Sequence, residues 1–131
     1  MALRITLNPH EKIIIAGASI TNGNVSTHFL IDNRVPILRE KDILKEENAV
    51  SPASRIYFAI QLMYMDSGNL TEYHKLYWEL VRDFLKAAPS TLKLIDGISE
   101  QIIGSRYYQA LKLARKLIER EQSIISAALE S

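Results

Sequence analysis

Hydrophobic and polar residues alternate with a period of two at the start of the chain. In the segment 3–7 every second residue is apolar, as in a β-strand with one buried face. Further on, the pair Asn22-Gly23 separates two runs rich in β-branched residues, which is a strong short-range signal for a hairpin turn. The pattern predicts an antiparallel meander of three or four strands within residues 1–38.

The spacing becomes helical from residue 52 onwards. Ser51 suits a helix N-cap and Pro52 suits the first helical position. The first helix is apolar around nearly its whole circumference, which indicates either burial or a missing partner. We predict four helices, at 52–66, 71–88, 91–103 and from 106 towards the end.

Strands followed by helices indicate an α+β fold. At 131 residues the chain fits a single domain, with the β meander packed against the helical bundle. Its predicted parts are a mainly β part (1–38), a charged connection (39–51) and a helical part (52–131).

The stretch RVPILREKD, at residues 34–42, fits neither the period of two of a strand nor the spacing of a helix. Pro36 excludes a central strand, so the segment is predicted to be an edge strand or a crossover to the helices. Ile37 and Leu38 would anchor it in the core. The charged run from Arg39 to Asp42 then has two interpretations, a corner of buried ion pairs or a recognition loop.

Composition and the absence of known motifs reduce the range of possible functions. The chain has no cysteine, and its three histidines lack metal-ligand spacing, so we predict no metal site and no cofactor. Phosphate-binding loops and nucleophile motifs are absent from the sequence, which predicts a protein that is not an enzyme. No apolar run is long enough for a signal peptide or a membrane span, so we expect a cytoplasmic protein.

The formal net charge is +1, and the excess lies in the second half of the chain. In the last helix, Tyr108 falls among basic residues and away from the apolar arc. An aromatic ring beside arginine and lysine can stack an unpaired base while the cations meet phosphates. The other interpretation is an ordinary solvated face, with Tyr108 packed on a neighbouring side chain.

The order and spacing of several segments resemble one known family. They are LNPHEKIIIAGASITNG, RVPILREKDIL, SPASRIYFAIQLMYMD, FLKAAPS and GSRYYQALKLARKLIERE. Together they make the chain similar to the FlbT family of flagellum biosynthesis repressors of alphaproteobacteria. One departure is His10, where that resemblance leads us to expect a glycine in the turn.

The resemblance implies a repressor that acts after transcription, associates with the 5′ untranslated leader of flagellin mRNA and promotes its degradation. It also implies a FlaF-like flagellar regulator as partner. Because no catalytic constellation stands out in the sequence, decay of the RNA would require a recruited ribonuclease. The direction of regulation, the transcript and the oligomeric state are left open. The alternative is an adaptor or chaperone-like protein for flagellar components that affects the mRNA only indirectly; a nuclease is a distant third.

These two functions point to different surfaces. Direct RNA binding would use basic residues and one tyrosine: Arg34, Arg39, Lys41, Arg106, Tyr108, Lys112, Arg115 and Lys116. Binding of a protein partner would use apolar and aromatic residues of the first two helices: Tyr57, Leu62, Met63 and Trp78.

Overall fold

A computed structural model describes residues 2–130 and contains, within that range, five β-strands followed by four α-helices. The strands are β1 (Leu3–Leu7), β2 (Lys12–Ile15), β3 (Ala18–Thr21), β4 (Thr27–Ile31) and β5 (Ile37–Arg39). The helices are α1 (Pro52–Met65), α2 (Leu70–Ala87), α3 (Leu92–Ile103) and α4 (Tyr107–Glu130). The predicted α+β class is confirmed.

The chain forms two compact units, Met1–Ile43 and Leu44–Ser131, called here the β unit and the helical unit. The boundary between them falls inside the predicted connection 39–51. That connection is not uniform, because its first residue ends β5 and it contains two short 3₁₀ helices, Glu40–Asp42 and Glu46–Asn48.

The strand order of the β unit differs from that of a meander. β1 pairs with β4, and β2 lies between β3 and β5, all antiparallel. The two-residue hairpin turn is Ala16-Gly17, with φ of 51° and 85°, and it joins β2 to β3. Positive φ at both central residues gives the turn a twist that matches the flanking strands.

The predicted hairpin at Asn22-Gly23 is therefore wrong, since β3 and β4, which flank it, do not pair. Asn22 instead connects two parts of the β unit through its side chain. Its side-chain amide donates hydrogen bonds to the backbone carbonyls of Leu7, Asn8 and Val25, at 3.3, 2.9 and 2.9 Å. One side chain thus holds the end of β1 next to the loop before β4.

The core of the β unit is built from alternate residues of its strands. Ile5, Leu7 and Ile13 are buried, and partly buried apolar residues pack against them: Ile15, Phe29, Ile31 and Ile37. β5 lies at the edge of its sheet, as Pro36 predicted, and Leu38 is fully buried. A proline directly before an edge strand removes no ladder hydrogen bond.

The helical unit begins with a capping box. The hydroxyl of Ser51 accepts from the backbone N–H of Ser54, Ser54 returns the bond, and Pro52 occupies the first helical position. α1 ends at Met65 with Asp66 as its C-cap, and a 3₁₀ turn over Ser67–Asn69 leads into α2.

α1 packs against α2 and α4, and α3 packs against α4. This explains its apolar circumference: Ile56, Ala59 and Ile60 are fully buried. None of the helices within residues 2–130 is long and apolar enough to cross a membrane.

Candidate nucleic-acid interface

The candidate interface is one face of α4. Tyr108, Lys112, Arg115 and Lys116 follow the spacing i, i+4, i+7, i+8, which places them on the same side of a helix. The three cations are exposed, whereas the opposite face buries Ala110, Leu111, Ala114 and Leu117. The amphipathic pattern therefore turns a row of positive charge outwards.

Tyr108 lies at the inner border of that row and is half-buried. Its ring centroid is 6.0 Å from that of Tyr64 on α1, with the planes inclined by 42°. The ammonium nitrogen of Lys112 is 5.0 Å from the centroid of the Tyr108 ring, within cation–π range. Tyr108 thus both packs on a neighbouring ring and contacts a cation of the basic face.

Arg115 makes the second contact between α4 and α1. Its Nη2 donates to the hydroxyl of Tyr57 at 3.3 Å, and its Cζ lies 5.7 Å from that ring centroid. Tyr57 is only 3% exposed, so it fixes the guanidinium against α1. Tyr64 of α1 contacts Tyr108 of α4, and Tyr57 contacts Arg115, so the two helices run antiparallel. Along each helix the two contacts are seven residues, or about 10 Å, apart. We call Tyr64, Tyr108, Lys112, Arg115 and Lys116 the α1–α4 ridge.

The remaining cation predicted on the helical unit lies just before α4. Arg106 is exposed, and its guanidinium is tied to the end of α3. Nε donates to Oε1 of Gln101 at 2.7 Å, and Nη2 lies 3.5 Å from the carbonyl oxygen of Glu100. Arg106 therefore holds the α3–α4 junction together. Neither Lys112 nor Lys116 forms an ion pair with any residue in the described range 2–130.

Arg39, in the β unit, contacts β1 and the β1–β2 turn. Its Nη2 donates to Oε2 of Glu11 at 3.0 Å and to the carbonyl of Thr6 at 2.7 Å. Glu11 also accepts from the backbone N–H of Asn8, and this bond, followed by the one from Arg39, lowers the pKa of its carboxyl group. Arg39 therefore forms an ion pair at this corner, but the pair is not buried, since 35% of the Arg39 side chain and 15% of the Glu11 side chain are exposed.

The other two basic candidates of the β unit are exposed. Arg34 lies in the loop between β4 and β5, and Lys41 lies in the 3₁₀ helix Glu40–Asp42. Lys41 and Arg39 border a cleft of about 540 Å³ together with the β1–β2 turn, and its lining residues are Asn8, Pro9, His10, Glu11, Arg39, Glu40 and Lys41. Because acidic and basic side chains both line it, this cleft has no strong preference for an anion.

The residues predicted to bind a protein partner are mostly covered by the chain itself. Tyr57 and Met63 are 3% and 1% exposed, and Leu62 is half-buried. Of the two interpretations of the apolar circumference of α1, burial is the one observed, because α2 and α4 pack against it. Trp78 differs: it is 43% exposed on α2, with its ring edge-on to Tyr77 at 5.0 Å between centroids.

Sequence reasoning missed Glu121. This glutamate is 6% exposed, and its Oε2 accepts a hydrogen bond from the backbone N–H of Ala53 at 2.9 Å. The available signal was its position four residues after Leu117 and seven after Ala114, on the apolar side of α4. Among the described residues no cluster of three or more potential metal ligands occurs.

Comparison with known proteins identifies the family. A family model described as flagellar protein FlbT matches residues 3–125. The chain is 46% identical over 125 residues to "Probable flagellum biosynthesis repressor protein FlbT 1" of Bradyrhizobium diazoefficiens, covering 95% of this chain and 85% of the relative. A "Probable flagellum biosynthesis repressor protein FlbT" of Rhodopseudomonas palustris is 41% identical over 126 residues, covering 96% and 99%.

The "Flagellum biosynthesis repressor protein FlbT" of Caulobacter vibrioides is 33% identical over 123 residues, covering 92% of this chain and 87% of the relative. No solved structure matches the chain significantly. The matched region spans both units, including β1 and most of α4. The chain belongs to the FlbT family of flagellar proteins.

Proposed function

We propose that this protein is a non-enzymatic, cytoplasmic repressor of flagellum biogenesis that binds the 5′ leader of flagellin mRNA through the α1–α4 ridge. Support for the regulatory role comes from the relatives, which are named flagellum biosynthesis repressors. Support for RNA as the ligand comes from one observation: three exposed cations share a face of α4 with a half-buried tyrosine.

The balance of charges shapes the proposed mode of binding. With a net charge of +1, the whole molecule supplies little long-range attraction for RNA. Affinity would then depend on a few local phosphate contacts, made by Lys112, Arg115 and Lys116, together with stacking. Such a protein would not degrade RNA by itself. Decay of the transcript would require a recruited ribonuclease, and a FlaF-like regulator is the proposed protein partner.

The test is a titration of the protein with the flagellin leader and with a scrambled RNA of equal length, at several salt concentrations. The variant Lys112→Glu with Lys116→Glu should weaken leader binding about tenfold or more. It should also make the salt dependence shallower by roughly 1.4 in the log–log slope, as expected for two lost phosphate contacts on a single strand.

The matched control is Lys75→Glu with Lys86→Glu, which changes the charge equally at exposed positions of α2. It should leave leader binding nearly unchanged. Equal losses in the two double variants would mean that net charge, not the ridge, governs binding. Failure of the unmodified protein to bind the leader at low salt would contradict the proposed function.

A second function, as an adaptor for flagellar components, is favoured by one observation. Trp78 and Leu76 expose 43% and 39% of their surface on α2, so they could contact a protein partner. Trp78 is the single tryptophan of the chain, so its fluorescence reports directly on that surface. A shift of its emission on addition of purified flagellin, with no leader binding in the titration above, would favour the adaptor.

A further inference from the structure

We propose that Tyr64 and Tyr108 form a joint stacking platform, so that the ridge takes unpaired, single-stranded RNA and not duplex RNA. This inference rests on the proposed function and assigns a role to Tyr64, a residue of α1 that lies outside the basic helix.

The two rings come from different helices and meet at the α1–α4 seam. Their centroids are 6.0 Å apart, both side chains are half-buried, and Lys112 approaches the Tyr108 ring at 5.0 Å. The aromatic part of the ridge therefore lies on the α1 side and the cations extend from it along α4. A strand bound there would place bases on the tyrosines and phosphates on Lys112 and Lys116.

This arrangement distinguishes between forms of RNA. In an A-form duplex the bases are stacked on each other, and proteins read mainly its shape, phosphates and 2′-hydroxyls. Only unpaired bases offer a free π-face to an aromatic side chain. Cations alone would bind both forms, so the tyrosine pair is the feature that favours the single strand.

The platform is held in place before any ligand arrives. Two helical turns away from the two rings, the hydrogen bond from Arg115 to Tyr57 holds α4 against α1. Both helices also carry fully buried side chains, Ile60 on α1 and Leu117 on α4. Because its rings stand on packed helices and not on loops, the platform loses little conformational freedom on binding.

The first experiment compares a single-stranded segment of the leader with the same strand annealed to its complement. The unmodified protein should bind the single strand more tightly. Tyr64→Leu and Tyr108→Leu should each weaken single-strand binding on the order of 5- to 150-fold, the range for loss of one stacked base. Tyr64→Phe keeps the ring and should retain most of the affinity. Tyr73→Leu, at a half-buried tyrosine of α2, is the matched control and should have little effect.

A second measurement does not depend on whether the leucine variants fold. The same RNA carrying 5-iodouridine is irradiated with the unmodified protein, and the cross-linked tryptic peptides are identified by mass spectrometry. Cleavage after Arg55, Lys75, Arg106 and Lys112 places Tyr64 and Tyr108 on different peptides. Cross-links should appear at both tyrosines.

The outcomes separate this inference from the proposed function. Leader binding that depends on Lys112 and Lys116, but is equal for duplex RNA or gives no cross-link at Tyr64, overturns the platform and leaves RNA binding intact. Absence of any leader binding overturns both. Tighter single-strand binding with cross-links at both tyrosines supports both.

Discussion

The carboxylate of Glu121, near the middle of α4, caps the N-terminus of α1. Its Oε2 accepts from the backbone N–H of Ala53 at 2.9 Å, across 68 residues of sequence. Pro52 has no N–H, and the N–H of Ser54 donates to the hydroxyl of Ser51. The N–H of Ala53 also lies in this first turn, and its acceptor is the distant carboxylate of Glu121. A negative charge at this position also faces the positive end of the helix dipole.

Removing this cap should destabilise the helical unit. We expect Glu121→Ala to lower the free energy of unfolding by about 1–3 kcal/mol, because it leaves the buried N–H of Ala53 without an acceptor. Glu121→Gln keeps an acceptor and should cost less. The measurement is urea unfolding followed by circular dichroism. Glu119→Ala, on the exposed side of the same helix, should stay within about 0.5 kcal/mol of the unmodified protein.

Acid should weaken the β unit through Glu11. Hydrogen bonds from Asn8 and Arg39 lower the pKa of this carboxyl group below its usual value of 4.5, so the unfolded chain binds its proton more readily than the folded one. The resulting stabilisation is fully present above pH 4.5 and is lost as the pH falls through the folded-state pKa.

The measurement is denaturant unfolding from pH 7 downwards for the unmodified protein and for Glu11→Gln. The difference in stability between the two should shrink on acidification. Asp32→Asn, at an exposed position just after β4, is the control for a general charge effect. A difference between the proteins that is constant across this pH range would contradict the role given to Glu11.

The turn between β1 and β2 should become more stable when His10 is replaced by glycine. His10 has φ of 65°, in the left-handed region where a β-carbon is strained. We expect His10→Gly to raise the free energy of unfolding of the β unit by up to about 1 kcal/mol. His10→Ala retains the β-carbon and should give no gain, which separates relief of strain from loss of the imidazole. Amide hydrogen exchange in β1 and β2 reports the change.

The Ala16-Gly17 hairpin offers a similar test at another turn. Ala16 has φ of 51°, a conformation that asparagine tolerates better than alanine. Ala16→Asn should therefore slow amide exchange in β2 and β3, with a gain of up to about 1 kcal/mol. Gly17→Ala, at φ of 85°, should accelerate exchange in the same strands. If both variants behave alike, the turn does not limit the opening of these strands.

Much of the structure of the helical unit could be predicted from the sequence. The predicted helix boundaries agree with α1 to α4 within about one residue at most ends, because helix starts and stops depend on local signals such as Ser51-Pro52 and Pro89. The exposed cations of α4 were also predictable, since helical periodicity alone places Lys112 and Lys116 opposite the apolar side. The contact of Tyr108 with Tyr64 was not, because it joins residues 44 positions apart.

The sequence by itself determined the α+β class, the order of a β part followed by helices, the exclusion of RVPILREKD from the centre of a sheet, and the basic face of α4. All of these follow from residue periodicity and from local chemistry such as proline and capping. Only the tertiary structure decided that β1 pairs with β4, that Arg39 is bound to Glu11, that α2 and α4 cover α1, and that Glu121 caps it. These are long-range contacts, and their partners are chosen by packing and hydrogen-bond satisfaction in three dimensions, which no local pattern encodes.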